Sequence, residues 1–152
     1  MKSALLDKVR LELKAGLERL AKAAMDAHAA ATDPDSKAEG KYDTRSLEAS
    51  YLAAGQARQV DELAEAVRVF EAFTLPNFAS DDPIGMGALV KADRRGEITS
   101  LLLVPAAGGM VIDMEGQEIT LLTPASPLYQ SLLGAREGDF LEEFELRVID
   151  VN

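Results

Sequence analysis

The sequence predicts an α+β protein: an antiparallel helical hairpin (a coiled coil) followed by a small antiparallel β domain with one short helix. Three observations predict it. Apolar residues recur at spacings of three and four through most of the first half, the period of a helix with one buried face. From Ile84 the pattern changes to short apolar runs divided by glycine-containing turns, the signature of strands and hairpins. Between the two halves, Pro76, Asp81, Asp82 and Pro83 fall in a polar stretch without periodicity, which reads as a joint. The expected domains are a hairpin over 1–75, a linker over 76–83 and a β domain over 84–152.

The first helix is expected over about 3–31, with Ser3 as N-cap. Leu6, Val9, Leu13, Leu17, Leu20 and Ala24 form its stripe, and charged residues fill the other faces. Beyond Leu20 the stripe turns to alanine. Gly16 is either a site of close helix approach or a tolerated cost of about 1 kcal/mol relative to Ala. Thr32, Asp33 and Pro34 end the helix, because proline lacks a donor and drives the residue before it out of the α region.

Thr32 to Tyr42 reads as a short acidic turn at the tip of the hairpin. Ser36 to Glu39 fits a capping box that would open the second helix. Gly40 weakens that start, so the helix opens either there or near Asp43 and Thr44. It is expected to run to about Phe73. Val60, Leu63, Val67 and Phe70 form its seam near the base, and Ala49, Leu52, Ala53 and Gln56 nearer the tip. Both arms are therefore bulky at the base and slim toward the turn. Arms of ~30 residues would reach ~45 Å.

In the second half, strands are expected at 87–92 and 98–104 around a turn at Arg94 to Glu97. A hairpin follows over 110–122, turning at Glu115, Gly116 and Gln117. Ser126 then caps a short helix with Pro127 at its first position, and Gly134 closes it. Gly138 and Asp139 turn into a last strand over 140–151.

Composition narrows the function classes. The 152 residues carry a formal net charge of −10, with 47% hydrophobic but only 5% aromatic residues. Such an acidic chain does not bind nucleic-acid backbone with its whole surface, since that needs clustered Lys and Arg. It suits a basic partner, or one that holds a metal. There is no cysteine, which excludes disulfides and thiolate metal sites, and the lone His28 cannot make a zinc site. No run of about 18 apolar residues spans a membrane. Charges from Asp7 to Lys14 interrupt any signal-peptide core. A soluble cytoplasmic monomer is expected.

One group of residues resembles a known family. Ser126-Pro127-Leu128, Leu132-Leu133-Gly134, Gly138-Asp139 and the strand from Glu145 to Val151 follow one another as in the C-terminal domain of the bacterial Gre transcript-cleavage factors, GreA and GreB. The preceding hairpin with its acidic tip resembles the family's architecture, so the likeness covers nearly the whole chain. It implies an FKBP-like β domain, and RNA polymerase as partner. It also implies that the hairpin enters the polymerase's secondary channel, with no direct DNA binding and only indirect contact with nascent RNA. Such a factor is not itself an enzyme and has no cofactor of its own. Its tip carboxylates help hold a Mg²⁺ of the polymerase and position a water there.

Aligning Gly55 with a glycine of the family's second helix puts Asp43 at the second of two tip acids, and Gly40 at the first. Asp35 and Glu39 are further acids of the tip. The resemblance thus nominates Asp43, Glu39 and Asp35 for the helper role in catalysis, Asp43 and Glu39 toward the metal. Tyr42, Arg45, Ser126 and Pro127 are nominated as partner contacts. Local chemistry also accounts for several of these residues: Asp35 as a turn former, Glu39 as a capping acid, Asp43 beside a helix N-terminus and Ser126 as a cap. Two other functions fit the same elements. An FKBP-like fold suggests a peptidyl-prolyl isomerase, although Phe78, Tyr129, Phe140 and Phe144 are the only aromatic residues available for its pocket. A bare hairpin suggests a coiled-coil adaptor, for which the alanine-rich seam is a poor dimer surface.

Overall fold

A computed structural model describes the backbone of residues 2–32 and 45–152 and the side chains of residues 2–29 and 54–152. Two long helices open the chain, α1 (Lys2–Thr32) and α2 (Arg45–Ala72). The expected acidic turn, with Asp33, Asp35, Glu39, Tyr42 and Asp43, lies outside the described residues. By packing, the chain divides into two units. One is Arg10–Arg68; the other joins Met1–Val9 to Val69–Asn152.

In the unit Arg10–Arg68, the described residues of the expected stripes are turned from solvent: Leu13 is buried, and Leu17, Leu20, Ala24, Gln56, Val60, Leu63 and Val67 are half-buried. The side chains of Ala49, Leu52 and Ala53 lie outside the described residues, and Ala66, which the stripe did not include, is buried as well. Burial thins along α1 because alanine replaces leucine, so each turn removes less apolar area from water. The two helices meet beside Gly16, where an added Cβ would lie 3.7 Å from Leu63 Cδ2. That is ordinary contact, so crowding does not require the glycine.

The other unit holds the sheet. It has six strands: β1 (Leu89–Arg94), β2 (Glu97–Leu103), β3 (Val111–Met114), β4 (Gln117–Leu122), β5 (Phe140–Leu141) and β6 (Leu146–Val151). Their order is β3-β4-β2-β1-β6-β5. A short helix, α3 (Pro127–Leu132), follows β4. The α+β class and the order of helix pair, sheet and short helix are as expected.

Two details differ from the sequence expectation. β2 and β4 pair in parallel, so the sheet is mixed rather than wholly antiparallel. The chain leaves β2 through a loop containing Pro105, Gly108 and Gly109, forms β3 at the outer edge, and returns in β4 beside β2. Periodicity fixes which residues alternate but not which strands become neighbours. The last strand is also not continuous. Glu142–Phe144 forms a 3-10 turn, Glu145 takes a left-handed conformation (φ 49°), and β5 folds back antiparallel onto β6. The adjacent acids Glu142 and Glu143 suit this exposed turn better than a pleated strand.

Two tight turns share one chemistry. Arg95-Gly96 and Glu115-Gly116 both have positive φ at both central residues, the twist that a two-residue hairpin favours. In each, the aspartate before the turn accepts from the glycine amide: Asp93 Oδ1 at 2.7 Å and Asp113 Oδ1 at 2.9 Å. The spacing Asp-x-x-Gly is legible in the sequence and marks both.

One face of the sheet packs with α3. Val90, Ala92, Leu101, Leu103, Leu122, Leu146, Val148 and Val151 form a core with Ile84, Ala88, Tyr129 and Leu132. Ile112, Leu102, Ile119 and Leu121, on alternating positions, are also fully buried.

The stretch between α2 and β1, which reads as a joint in the sequence, makes several bonds. Asp82 Oδ2 accepts from the Ala79 amide at 2.7 Å, and Ile84 exchanges backbone bonds with Gly134 and Ala135. Lys2 Nζ donates to Pro76 O at 2.5 Å and to Asn152 O at 2.8 Å, and lies 5.1 Å from the Phe78 ring centre. Partial burial lowers the pKa of this ammonium. Pro76 also packs on Gly87, where an added Cβ would fall 2.5 Å from Pro76 Cδ, and where φ is +90°. Gly87→Ala is therefore expected to destabilise by about 2 kcal/mol or more, through clash and a left-handed alanine. Gly16→Ala should stabilise by up to about 1 kcal/mol. Denaturant unfolding of the two variants reads both signs.

Candidate functional site

Among the nominated residues, Ser126 and Pro127 are the pair whose side chains the structure describes. They stand at the start of α3. Ser126 has extended backbone (φ −79°, ψ 130°), and its Oγ accepts from the Tyr129 amide at 3.5 Å. Its own amide donates to Thr123 O at 2.9 Å, which closes the turn before the helix. Gln130 Nε2 donates to Pro124 O at 2.8 Å, a second tie across the same turn. Thr123 lies close against Gly108: an added Cβ there would come within 2.8 Å of Thr123 Oγ1.

Tyr129 and Leu132 anchor α3 by burial in the core. The Tyr129 hydroxyl reaches Met86 Sδ at 3.7 Å, and burial pushes the phenol pKa up. The opposite face of the helix carries Pro127, Gln130 and Leu133, all exposed. Ser126 is half-buried, so the cap is partly covered while the proline beside it meets solvent. This arrangement presents a rigid edge with a small apolar component, the kind of surface that can rest on a partner without reordering.

Arg45 is the first residue of α2, and its side chain lies outside the described residues. Asp35, Glu39, Tyr42 and Asp43 lie outside them altogether. Among the described residues no group of three or more His, Cys, Asp or Glu side chains is placed to hold a metal ion, and no helix is long and apolar enough to cross a membrane. Carboxylates are hard oxygen donors of the kind Mg²⁺ takes, so Asp43 and Glu39 fit that metal in chemical type.

A second surface was not visible in the sequence. The exposed Arg95 and Glu145 form an ion pair from two turns fifty residues apart. Nearby, the Arg147 guanidinium lies 5.3 Å from the Phe140 ring centre and donates to Gly138 O at 3.0 Å. Arg94 Nε donates to Phe144 O at 3.1 Å. The alternation of β6 places Arg147 outward, but which turn it faces depends on the fold-back of β5. The hydrogen bond from Arg95, then its charge, holds the Glu145 carboxyl below its ordinary pKa. The pair's contribution is present above the unfolded-state pKa and is lost as pH falls through the lowered folded value. Arg95→Gln should raise the Glu145 titration midpoint, read by NMR of its carboxyl carbon, with little change in stability because both groups are exposed.

No protein-family model matches the chain. No curated protein matches it either. Several solved structures are similar to it, three of which follow. GreA factor homolog 1 (Gfh1) of Thermus thermophilus has 24% identity and a TM-score of 0.38, with 94% of each chain covered. Gfh1 of Thermus aquaticus has 20% identity and a TM-score of 0.35 over 93% of this chain and 92% of that one. A further structure, described as the transcription factor Gfh1, has 22% identity and a TM-score of 0.38, covering 95% and 94%. The structural neighbours are thus Gre-factor homologues.

Proposed function

We propose that this chain is a transcription factor that binds RNA polymerase and acts on the polymerase's own catalytic centre rather than as an enzyme. In this reading the α1–α2 pair enters the secondary channel. The acidic turn between the helices is the acting end, and the Ser126–Pro127 edge rests at the channel rim. The observation that carries the reading is the local structure of the residues that resemble the Gre factors. Ser126 caps α3, Pro127 opens it, Gly134 has a positive φ just beyond its end, and Gly138 turns toward the final hairpin. These residues thus form one local structural unit, which supports the reading. The long helix pair before it, slim in side chains beyond Leu20, supplies the arm that such an action requires.

At the tip, Asp43 and Glu39 would share the polymerase-held Mg²⁺, with Asp35 as a third acid nearby. These carboxylates would help hold the ion, and the ion when bound would supply activation of a water. One or two added carboxylates suffice, because Mg²⁺ keeps most of its waters. Tyr42 and Arg45 stand beside these acids in sequence as contacts for the polymerase. An acidic tip is also drawn toward a cation held in a channel.

The rim contact is tested by Ser126→Asp combined with Pro127→Glu. Aspartate keeps the N-cap, so the helix start survives while charge is added. Affinity for core RNA polymerase should fall about tenfold or more, as expected when an uncompensated charge enters an interface. Unchanged affinity, with thermal unfolding also unchanged, would remove this edge from the interface.

A further inference from the structure

The geometry points to a binding site for a small free amino acid on the sheet, over the row formed by Asp150, Lys91, Ser100 and Ile119. A cavity of about 210 Å³ opens there, lined chiefly by Leu89, Lys91, Ser100, Gln117, Ile119 and Asp150. These residues come from four adjacent strands held in register. Lys91 pairs with Asp150 of β6 on one side and Ser100 of β2 on the other, and Ser100 pairs with Ile119 of β4. Register partners share a face of the sheet, so these side chains form one row.

The row offers complementary chemistry. Ser100 is 6% exposed and the single buried polar residue among the described ones. Its Oγ accepts from Gln117 Nε2 at 2.6 Å, which leaves its own O–H to donate toward the cavity. Lys91 is exposed and supplies a cation beside that hydroxyl. Asp150 supplies an anion one strand further; its Oδ2 is held by Asn152 Nδ2 at 2.7 Å rather than by Lys91. The accessible apolar part of the lining comes from the half-buried Leu89, with the fully buried Ile119 behind it. A carboxylate seated on Lys91 and Ser100 would have its ammonium within reach of Asp150, since adjacent strands lie about 5 Å apart. The remaining side chain would lie beside the half-buried Gln117 amide. A cation and an anion within one small, partly apolar cavity match a zwitterion better than a simple anion or cation.

The test is an amide NMR titration of the full chain with L-glutamine and L-leucine, each to about 10 mM, where millimolar binding is readily seen. At least one should give saturable shifts centred on Lys91, Ser100, Gln117 and Asp150. Acetate and methylammonium, each carrying one of the two charges, should bind about tenfold more weakly or less. Lys91→Gln and Asp150→Asn should each weaken the amino acid about tenfold, as loss of a charge-assisted bond does. Both are polar replacements outside the buried core, and the unperturbed amides of the rest of the spectrum report the fold. No shift with either amino acid overturns the site. So does acetate binding as tightly, or affinity unchanged in either variant.

Discussion

Asp43→Asn is expected to abolish the chain's effect at the polymerase catalytic centre while leaving its affinity for polymerase within about fivefold. The substitution keeps size and shape and removes one charge. A single ion-pair charge is typically worth about 1 kcal/mol or less, hence the small expected change in affinity. Its contribution to the chemistry is different in kind, because an amide oxygen is a much weaker ligand for Mg²⁺ than a carboxylate. Glu39→Gln and Asp35→Asn should have graded effects, the larger marking the acid nearer the metal. The readout is transcript cleavage or elongation on a backtracked complex at fixed factor occupancy. If all three substitutions together leave a transcription effect intact, the chain acts by filling the channel and the acidic turn is only a turn.

Phe70→Ala is expected to give a large loss of stability, about 3–5 kcal/mol. Phe70 is fully buried near the end of α2, and by packing it belongs to the unit that holds the sheet. Its ring meets Phe73 edge to face, with centroids 6.0 Å apart and planes at 81°. Truncation removes the transfer term and the aromatic contact, and leaves a cavity in a close-packed site. For a chain of this size the loss lowers the melting temperature by roughly 10 °C, measurable by calorimetry. Phe73→Ala should cost much less, because Phe73 is only half-buried. A shift of under about 2 °C for Phe70→Ala would mean that the end of α2 is not part of the core.

Much of this fold was legible in the sequence because local chemistry and final packing agree. Leu6, Val9 and Leu13 read as one stripe, and each of the three is buried. Ser126 reads as a cap, and it caps. The hairpin around Gly116 reads from its turn, since the glycine supplies a conformation that other residues resist. The parallel β2–β4 pair was not legible, because it depends on strand order. Nor was the fold-back at Glu145, whose left-handed backbone is set by the pairing of Phe140 with Arg147 and Leu141 with Leu146. The amino-acid cavity was hidden for the same reason. Lys91, Ser100 and Gln117 stand nine and seventeen positions apart and meet only through register. Of the nominated site residues, Ser126 and Pro127 were legible as a structural edge, while the tip acids rest on chemistry and resemblance alone.

Binding of RNA polymerase through both the arm and the α3 edge is read by gel filtration of the purified chain mixed with core RNA polymerase at low micromolar concentration. Co-elution is predicted for the intact chain, weakened by the Ser126→Asp and Pro127→Glu pair and retained by Asp43→Asn. Separate elution of the intact chain and the polymerase would mean that the chain is not a polymerase-binding factor.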